Sequence, residues 1–484
     1  MIMKKGKIKK TKIVCTLGPA TESAAVMQRL IEAGMNAARL NFSHGSRDEH
    51  AAHIKRIRKA AAKTGKEIAI ISDLAGPKIR IGEIARGTVT LETGRNFTLT
   101  GLEVPGDETE VSINYKKLPG AVRKGDRILL SDGGLELEVV APAGNKIVCR
   151  VISGGLLSSR QGINLPSRTT GIPILTDKDK QDLEFALRQE VDYIGISFVR
   201  TAEDVKKVKR LIKSRGNGVG LIAKIEKPQA LRNLAAIIKE VDGIMIARGD
   251  LGVEIPFEEV PLAQKNIIRE ANLAGKPVIT ATQMMESMVS SPRPSRSEVS
   301  DVANAVLEGT DAIMLSEESA IGKYPVEAVA AMSRIVREVE TFFPAKEWTR
   351  KFQEQEDLSV EEYVARAACG LSEDIDADCL ITHTSSGSAA RRVAKYRPFH
   401  HIIAATADPK VCRRLALVWG VYPILIAPLN DTEVMIAKTT EAALKAGLLK
   451  KGERVVITAG IPLNRPGHTN VIRVITAGES DKTF

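Results

Sequence analysis

The chain has 484 residues, 43% hydrophobic and 27% charged, which fits a globular protein of roughly two to four domains and excludes a disordered one. No run approaches the roughly 18 consecutive apolar residues of a membrane helix, and the N-terminal MIMKKGKIKKTK lacks a signal peptide's apolar stretch, so a cytoplasmic protein without a membrane partner is expected. The net charge of +11 raises nucleic-acid binding, but six lysines crowd the first twelve residues with no interleaved aromatics, and the basic surface better suits small phosphorylated anions.

Along the chain, short apolar runs bounded by turn signals recur. The first are KIVCTLG (12–18), AARLNFSHG (37–45) and EIAIISDLAG (67–76), separated by amphipathic helical stretches such as ESAAVMQRLIEAG and RDEHAAHIKRIRKAAAKTG. About 95 residues then intervene before the next helix, whose start is capped by Thr176 or Asp177, and a connection that long must fold on its own. Within it GTVTLETGRNFTLT, EVSINY, DRILLSDGGLELEVV and KIVCRVI alternate with period two between glycine turns. A small β-barrel or sandwich is therefore expected over 76–171, rooted at the end of the third strand and able to act as a lid.

The series resumes with DYIGISFVR (192–200), LIAKIE (221–226), GIMIARGD (243–250), PVITATQ (277–283) and AIMLSEES (312–319). Eight strand and helix units predict an α/β fold, a (β/α)8 TIM barrel over 1–75 and 172–348, and the continuous Ile/Val/Ala runs suit parallel strands buried on both faces. Nearly every run turns polar at its C-terminal end, at Arg39, Asn41, Asp73, Lys224, Glu226, Asp250 and Thr282. Barrels of this kind build their sites at that end. Lys224 and Glu226 stand two residues apart and so share one face of a strand. Seen alone, the pair reads as a terminal salt bridge. Among so many polar tips at corresponding ends, it reads as part of a site.

The chemistry follows from the residue types. Glu226 and Asp250, at the tips of adjacent strands, suit one hard cation that also takes substrate oxygens and waters, a magnesium-like site. Lys224 and Arg39 add two positive charges at the same mouth. Cations converging this way stabilise a transferring phosphoryl group, whose charge spreads over its oxygens. Neither a Walker A motif nor the H-R-D and D-F-G pair of protein kinases is present.

After FFPAKEWTRKFQEQED the pattern restarts with a helix (358–376) and the runs CLITHTSS, HIIAATAD, YPILIAP and RVVITAG, which predict a separate α/β domain over 349–484. There Thr382, Thr384, Ser385, Ser386 and Ser388 precede a helix, where they could hold the phosphate of an effector or simply cap the helix. The segment ITAGIPLNRPGHTN, with Arg465, is expected to face that cluster. The five cysteines, Cys15, Cys149, Cys369, Cys379 and Cys412, are odd in number and scattered, so reduced thiols are expected and no zinc site is indicated.

The motifs TKIVCTLGPAT, ARLNFSHG, IAKIE, MIARGDLGVEIP, ATQMMESM and PRPSRSEVSDVANAV, in this order, resemble the pyruvate kinase family over essentially the whole chain. The resemblance implies a barrel with a β lid inserted after the third strand and a C-terminal regulatory domain. It implies transfer of the phosphoryl group of phosphoenolpyruvate to ADP, giving ATP and pyruvate, with Mg2+ or Mn2+ as cofactor, a phosphorylated effector and a homotetramer. By motif, it gives Lys224 the phosphoryl transition state and enolate oxygen, Glu226 and Asp250 the metal, Gly249 the substrate carboxylate and Thr282 the enolate face. Arg39 would hold phosphate, and Asn41, Ser43, His44, Arg80 and Lys178 would border the nucleotide. Potassium, where the family binds it, would meet Asn41, Ser43, Asp73 and the Leu74 carbonyl. Here the sequence departs from the family, because Lys78 stands where K+-requiring members carry Glu, and Leu74 replaces their Thr. K+ is therefore expected not to be strictly required, with the Lys78 ammonium substituting for it. A second departure, Glu317 in place of a small residue, has no physical account. Two other readings stay open: a metal-dependent aldolase or lyase barrel acting on phosphoenolpyruvate or a 2-oxo acid with the same Glu226 and Asp250, and a phosphate-metabolite sensor or nucleic-acid-binding protein using the C-terminal domain and the basic N-terminus.

Overall fold

The computed structural model describes residues 8–166, 171–215, 218–350, 352, 358–462 and 468–478. Eight parallel strands close into a ring: β1 (Lys12–Thr16), β2 (Ala37–Asn41), β3 (Ala69–Asp73), β4 (Tyr193–Ile196), β5 (Gly220–Ile225), β6 (Gly243–Ala247), β7 (Val278–Ala281) and β8 (Ala312–Leu315). Each pairs with its sequence neighbour, and β1 closes the ring on β8. The strands are shorter than the apolar runs that announce them, because the polar ends leave the ladder. Glu226 already lies one residue beyond β5.

Two faces of each strand have different fates. Val14, Ala37, Ala69, Ile71, Ile222, Met245, Ile279, Ala312 and Met314 pack together inside the ring. Their alternates, including Ile13, Ala38, Leu40, Ile70, Ala223, Ile225, Ile244 and Ile246, pack outward against the helices. Continuing the inward register by two residues gives Arg39 after Ala37, Asp73 after Ile71, and Lys224 then Glu226 after Ile222. The charged tips are thus the top layer of the barrel's own interior.

Between β3 and the helix Asp177–Arg188, capped by Thr176, lies the lid. Seven strands form one sheet and two more a small companion sheet, around a core that includes the fully buried Phe97, Leu99, Ile128, Leu137 and Ile147. The two edge strands, Ile79–Arg80 and Glu110–Ser112, meet through a bridge between Ile81 and Ile113, which curls the sheet nearly into a barrel. The C-terminal domain is a five-stranded sheet with its helices; its last strand, Val471–Thr476, is antiparallel and has no counterpart in the sequence reading. Trp348 and Phe352 belong to this domain's core. All five cysteines are buried and unpaired, and burial pushes each thiol up.

The C-terminal domain seals the base of the barrel. Ala416 and Leu417 complete the interior cluster from below. Beside them the fully buried Arg397 donates to both carboxylate oxygens of Asp311, at 3.1 and 2.9 Å, and to Asn272 Oδ1 at 2.7 Å. Its guanidinium lies 4.9 Å from the Trp419 ring centre, and Trp419 N–H also donates to Asp311. Removing one partner of such a pair strands a buried charge, so Arg397→Met is expected to destabilise the junction by about 3–5 kcal/mol. The measurement is urea unfolding followed by tryptophan fluorescence, since both tryptophans, Trp348 and Trp419, sit beside Arg397. An unchanged midpoint would contradict the assignment of this pair as the junction's anchor.

Candidate active site

The mouth of the barrel holds four buried charges in contact. Arg39 donates to Asp73 Oδ2 from Nε at 2.7 Å and to Thr16 Oγ1 from NH1 at 3.1 Å. Lys224 Nζ lies 3.5 Å from the same Asp73 oxygen and 2.8 Å from Glu226 Oε1. It also donates to Ser197 Oγ at 2.9 Å, and the Ser197 hydroxyl donates to the Leu74 carbonyl at 2.8 Å. The barrel makes room for this network at Gly195, beside Asp73 on β4, where a Cβ would fall 3.0 Å from Asp73 Oδ1.

Burial alone would push the Lys224 ammonium down, but Asp73, Glu226 and Asp250 together hold it above the ordinary lysine value, so it stays charged. Burial would likewise raise Asp73, yet the charges of Lys224 and Arg39 overcome it and hold this carboxyl below its usual range. For Glu226 burial prevails, helped by Asp250 and opposed by Lys224, and the carboxyl is raised. Its Oε2 accepts from Phe198 N–H at 3.1 Å, and its Oε1 is paired with the Lys224 ammonium at 2.8 Å. Two carboxylates whose charges bear on each other suit a shared cation. Asp250 is one third exposed to the cleft, and its charge bears on both Lys224 and Glu226. Among the described residues no group of three or more His, Cys, Asp or Glu could hold a metal; Glu226 and Asp250 alone would leave a divalent ion to complete its shell with ligand oxygens and water.

Across the mouth, Thr282 follows β7 in a left-handed conformation, φ +72°, with Gln283 at +53°. Such backbone is sparsely populated and collects at functional sites. Thr282 Oγ1 accepts from Gly249 N–H at 2.8 Å and donates to the Ala281 carbonyl at 2.6 Å, so in this structure the Gly249 N–H is engaged. Arg248 braces the turn, donating to the Thr282 carbonyl at 2.7 Å while paired to Asp301 at 2.7 Å. Sequence reasoning missed Arg248, Ser197 and Phe198. Ser197, a small polar residue at the tip of an otherwise apolar run, was the readable signal among them.

The remaining sequence-predicted residues are placed less uniformly. Asn41 Oδ1 caps Ser43 N–H at 3.2 Å, and Ser43 and His44 are exposed at the rim. Arg80 stands on the lid, donating to the Arg160 carbonyl at 3.0 Å. Lys178 is tied to Asp182 at 2.6 Å and to the carbonyl of Phe42, the residue between Asn41 and Ser43, at 2.7 Å. Lys78 reaches from the lid's root to within 3.9 Å of Asp250 and 3.6 Å of Asp132. Glu317 is exposed, and its neighbour Glu318 is the buried one, accepting from Met285 and Ser316 N–H groups.

In the C-terminal domain a cavity of about 110 Å3 is lined by Thr384, Ser385, Ser388, Thr406, His468 and Thr469, among others. The helix Ser388–Lys395 begins there after Gly387, whose N–H donates to Thr384 Oγ1 at 2.9 Å. Thr382 is fully buried in its strand, and Ser386 is exposed, bonded to Ser388 at 3.0 Å; neither lines the cavity. Arg465 lies outside the described residues.

Family models for the barrel domain and the alpha/beta domain of pyruvate kinase match residues 8–329 and 362–475. The pyruvate kinase of Clostridium acetobutylicum is 43% identical, with 96% of this chain and 99% of that protein covered. That of Geobacillus stearothermophilus is 44% identical, with 96% of this chain and 80% of the relative covered. Among solved structures, a pyruvate kinase from Cryptosporidium parvum superposes with a TM-score of 0.92 at 37% identity, covering 97% of this chain and 96% of that one.

Proposed function

The chain belongs to the pyruvate kinase family, and from that premise we propose how its own residues carry the reaction. It is a phosphotransferase: the phosphoryl group of phosphoenolpyruvate passes to ADP, leaving pyruvate and ATP. The observation that carries the site assignment is the charged Lys224 ammonium, fixed between Asp73 and Glu226 at the barrel's mouth. An aldolase or lyase on the same two carboxylates would form product without ADP, and family membership opposes it.

Arg39 and Lys224 hold the phosphoryl oxygens. As the bond from the enol oxygen to phosphorus breaks and a bond from the ADP β-phosphate oxygen forms, negative charge collects on the transferring group and then on the enolate. Lys224 faces both. Its place is set in advance by Asp73 and Ser197, so no reorganisation is needed as that charge develops. The enolate carbon then takes a proton from a water oriented by the Thr282 hydroxyl, and the Gly249 N–H turns from Thr282 to the substrate carboxylate. The family is generally divalent-metal dependent; Glu226 and Asp250 would hold Mg2+ or Mn2+, which when bound supplies positive charge to the phosphoryl and enolate oxygens. ADP and ATP would lie along the rim at Asn41, Ser43, His44 and Arg80, with Lys178 joining only if it leaves Asp182.

Two further readings concern regulation and assembly. The cavity at Thr384, Ser385 and Ser388 suits a phosphorylated small-molecule effector, held by hydroxyls and the N–H groups of the helix that starts there. A homotetramer is supported by large apolar side chains facing solvent, Phe257 at 82% and Leu262 at 68% exposure, which a monomer would leave uncovered. No helix among the described residues is long and apolar enough to cross a membrane, and no nucleic-acid partner is proposed.

Lys224→Met is expected to leave the fold intact and lower kcat on the order of 10²-fold or more, with the loss falling on kcat rather than KM. A steady-state assay with phosphoenolpyruvate and ADP decides, and an unchanged kcat would remove Lys224 from the catalytic role.

Substantial activity is expected without K+. What supports this is the Lys78 ammonium, which reaches to within 3.9 Å of Asp250 at the cleft. Lys78→Glu should create or greatly increase a K+ requirement. Rates in a buffer of bulky organic cations with KCl titrated in provide the test; a wild-type enzyme nearly inactive until K+ is added would return Asn41, Ser43 and Asp73 to the role of potassium ligands.

Ser385→Asp places a carboxylate in the C-terminal cavity, where it should repel a phosphate. Activation by a phosphorylated metabolite should disappear while basal turnover persists. Equal activation of wild type and variant would remove the effector assignment.

A further inference from the structure

Glu254 ends the helix Arg248–Glu254 that carries Gly249 and Asp250, four residues beyond Asp250 and so on the same helical face. Its side chain is 1% exposed, and two elements converge on one of its oxygens. Oε1 accepts from Asn164 Nδ2, on the lid, at 2.8 Å and from Lys227 Nζ at 2.5 Å, while Oε2 has no hydrogen-bond partner. Asn164 is itself 4% exposed and belongs to the lid's last described strand, Gly162–Asn164. Lys227 follows Glu226 directly, and its ammonium sits 5.6 Å from the centre of the Phe198 ring.

Phe198 joins this contact to the mouth. Its backbone, in the left-handed region at φ +57°, gives the N–H that Glu226 Oε2 accepts, and its ring packs against the lid's hinge, where a Cβ on Gly76 would fall 2.8 Å from Phe198 Cδ2. A cavity of about 50 Å3 between Pro77, Ile172, Asn164, Phe198 and Lys227 leaves space for the lid to shift at this seam. Burying a carboxylate is costly unless its donors stay in place. If the lid swings away, Glu254 keeps Lys227 alone.

We propose that Glu254 is a positioning residue for the phosphoryl-transfer site. Its carboxylate joins the lid, through Asn164, to both residues that would hold the divalent ion: to Asp250 along the shared helix and to Glu226 through Lys227, its neighbour in the chain. The stance of the lid thereby sets how the two metal-holding carboxylates are presented. The inference rests on the reading of Glu226 and Asp250 as the metal pair.

The test uses the full-length protein without substrates, as wild type, Asn164→Ala, Glu254→Gln and the double variant, with Mn2+ alone as probe. Free Mn2+ is read by electron paramagnetic resonance, and amide hydrogen exchange is followed across the lid. Each single variant is expected to weaken Mn2+ binding about tenfold and to speed exchange at Gly162–Asn164, and the double variant should be no worse than the poorer single one, because both act on one chain of contacts, Asn164→Ala by removing the lid's donor and Glu254→Gln by removing the charge that this donor and Lys227 meet. Folded variants that bind Mn2+ and exchange as wild type does would overturn the proposal, as would a double variant whose loss is the product of the two. Should Glu254→Gln fail to fold, Asn164→Ala decides alone, since it removes only the lid's donor. Wild-type protein that takes up no Mn2+ would bring down the metal reading and the proposal with it, whereas wild-type-like binding in the variants brings down the proposal only.

Discussion

Four charges that none of their neighbours could tolerate singly govern the barrel's mouth. Asp73 stands between Arg39 and Lys224, and Lys224 between Asp73 and Glu226. An isolated charge at this burial would neutralise or unfold its surroundings, whereas two cations and two carboxylates in contact balance. The closed ring makes the contact possible, because only there do the inward registers of β2, β3 and β5 converge on one layer. Function follows from the imbalance that remains. Lys224 is held charged by Asp73 and Glu226, and the Asp250 carboxylate beside them stays open to the cleft.

Much of this was legible in the sequence, for a simple reason. Strand periodicity is short-ranged, so Lys224 and Glu226 could be placed on one face from six residues, and the polar ends of successive runs marked the functional rim. The barrel and the lid insertion followed from the spacing of runs and from one connection too long to be a loop. Contacts set by the third dimension were not legible. Arg248 braces Thr282 directly while paired to Asp301, 53 residues away, and no local pattern announces it. Lys178 looked free to meet a nucleotide, but the helix places Asp182 one turn on, where it takes the ammonium. Thr382 shared the composition of the Ser/Thr cluster, yet strand alternation turns it into the core. The antiparallel strand Val471–Thr476 carries too weak an alternation to stand out.

The two ends of the barrel are governed by different physics. At the base, Leu417 and Ala416 close the interior by apolar packing, and Arg397 and Asp311 fix the C-terminal domain through a fully buried ion pair. The helix Pro409–Leu415 leads from Thr406, at the C-terminal cavity, to that seal, and Arg413 at its end pairs with Asp192 at 2.8 Å, just ahead of β4. At the mouth, the lid meets the barrel through polar contacts beside a small cavity. A closely packed base and a looser seam at the mouth suit an enzyme that must admit two substrates and then exclude water.

The central claim is that this one mouth moves a phosphoryl group from phosphoenolpyruvate to ADP. It is tested most directly by measuring ATP and pyruvate together in a single reaction, with ADP present and with ADP withheld. The account predicts equal amounts of the two products with ADP and neither without it. Pyruvate released in the absence of ADP, or formed without matching ATP, would contradict it.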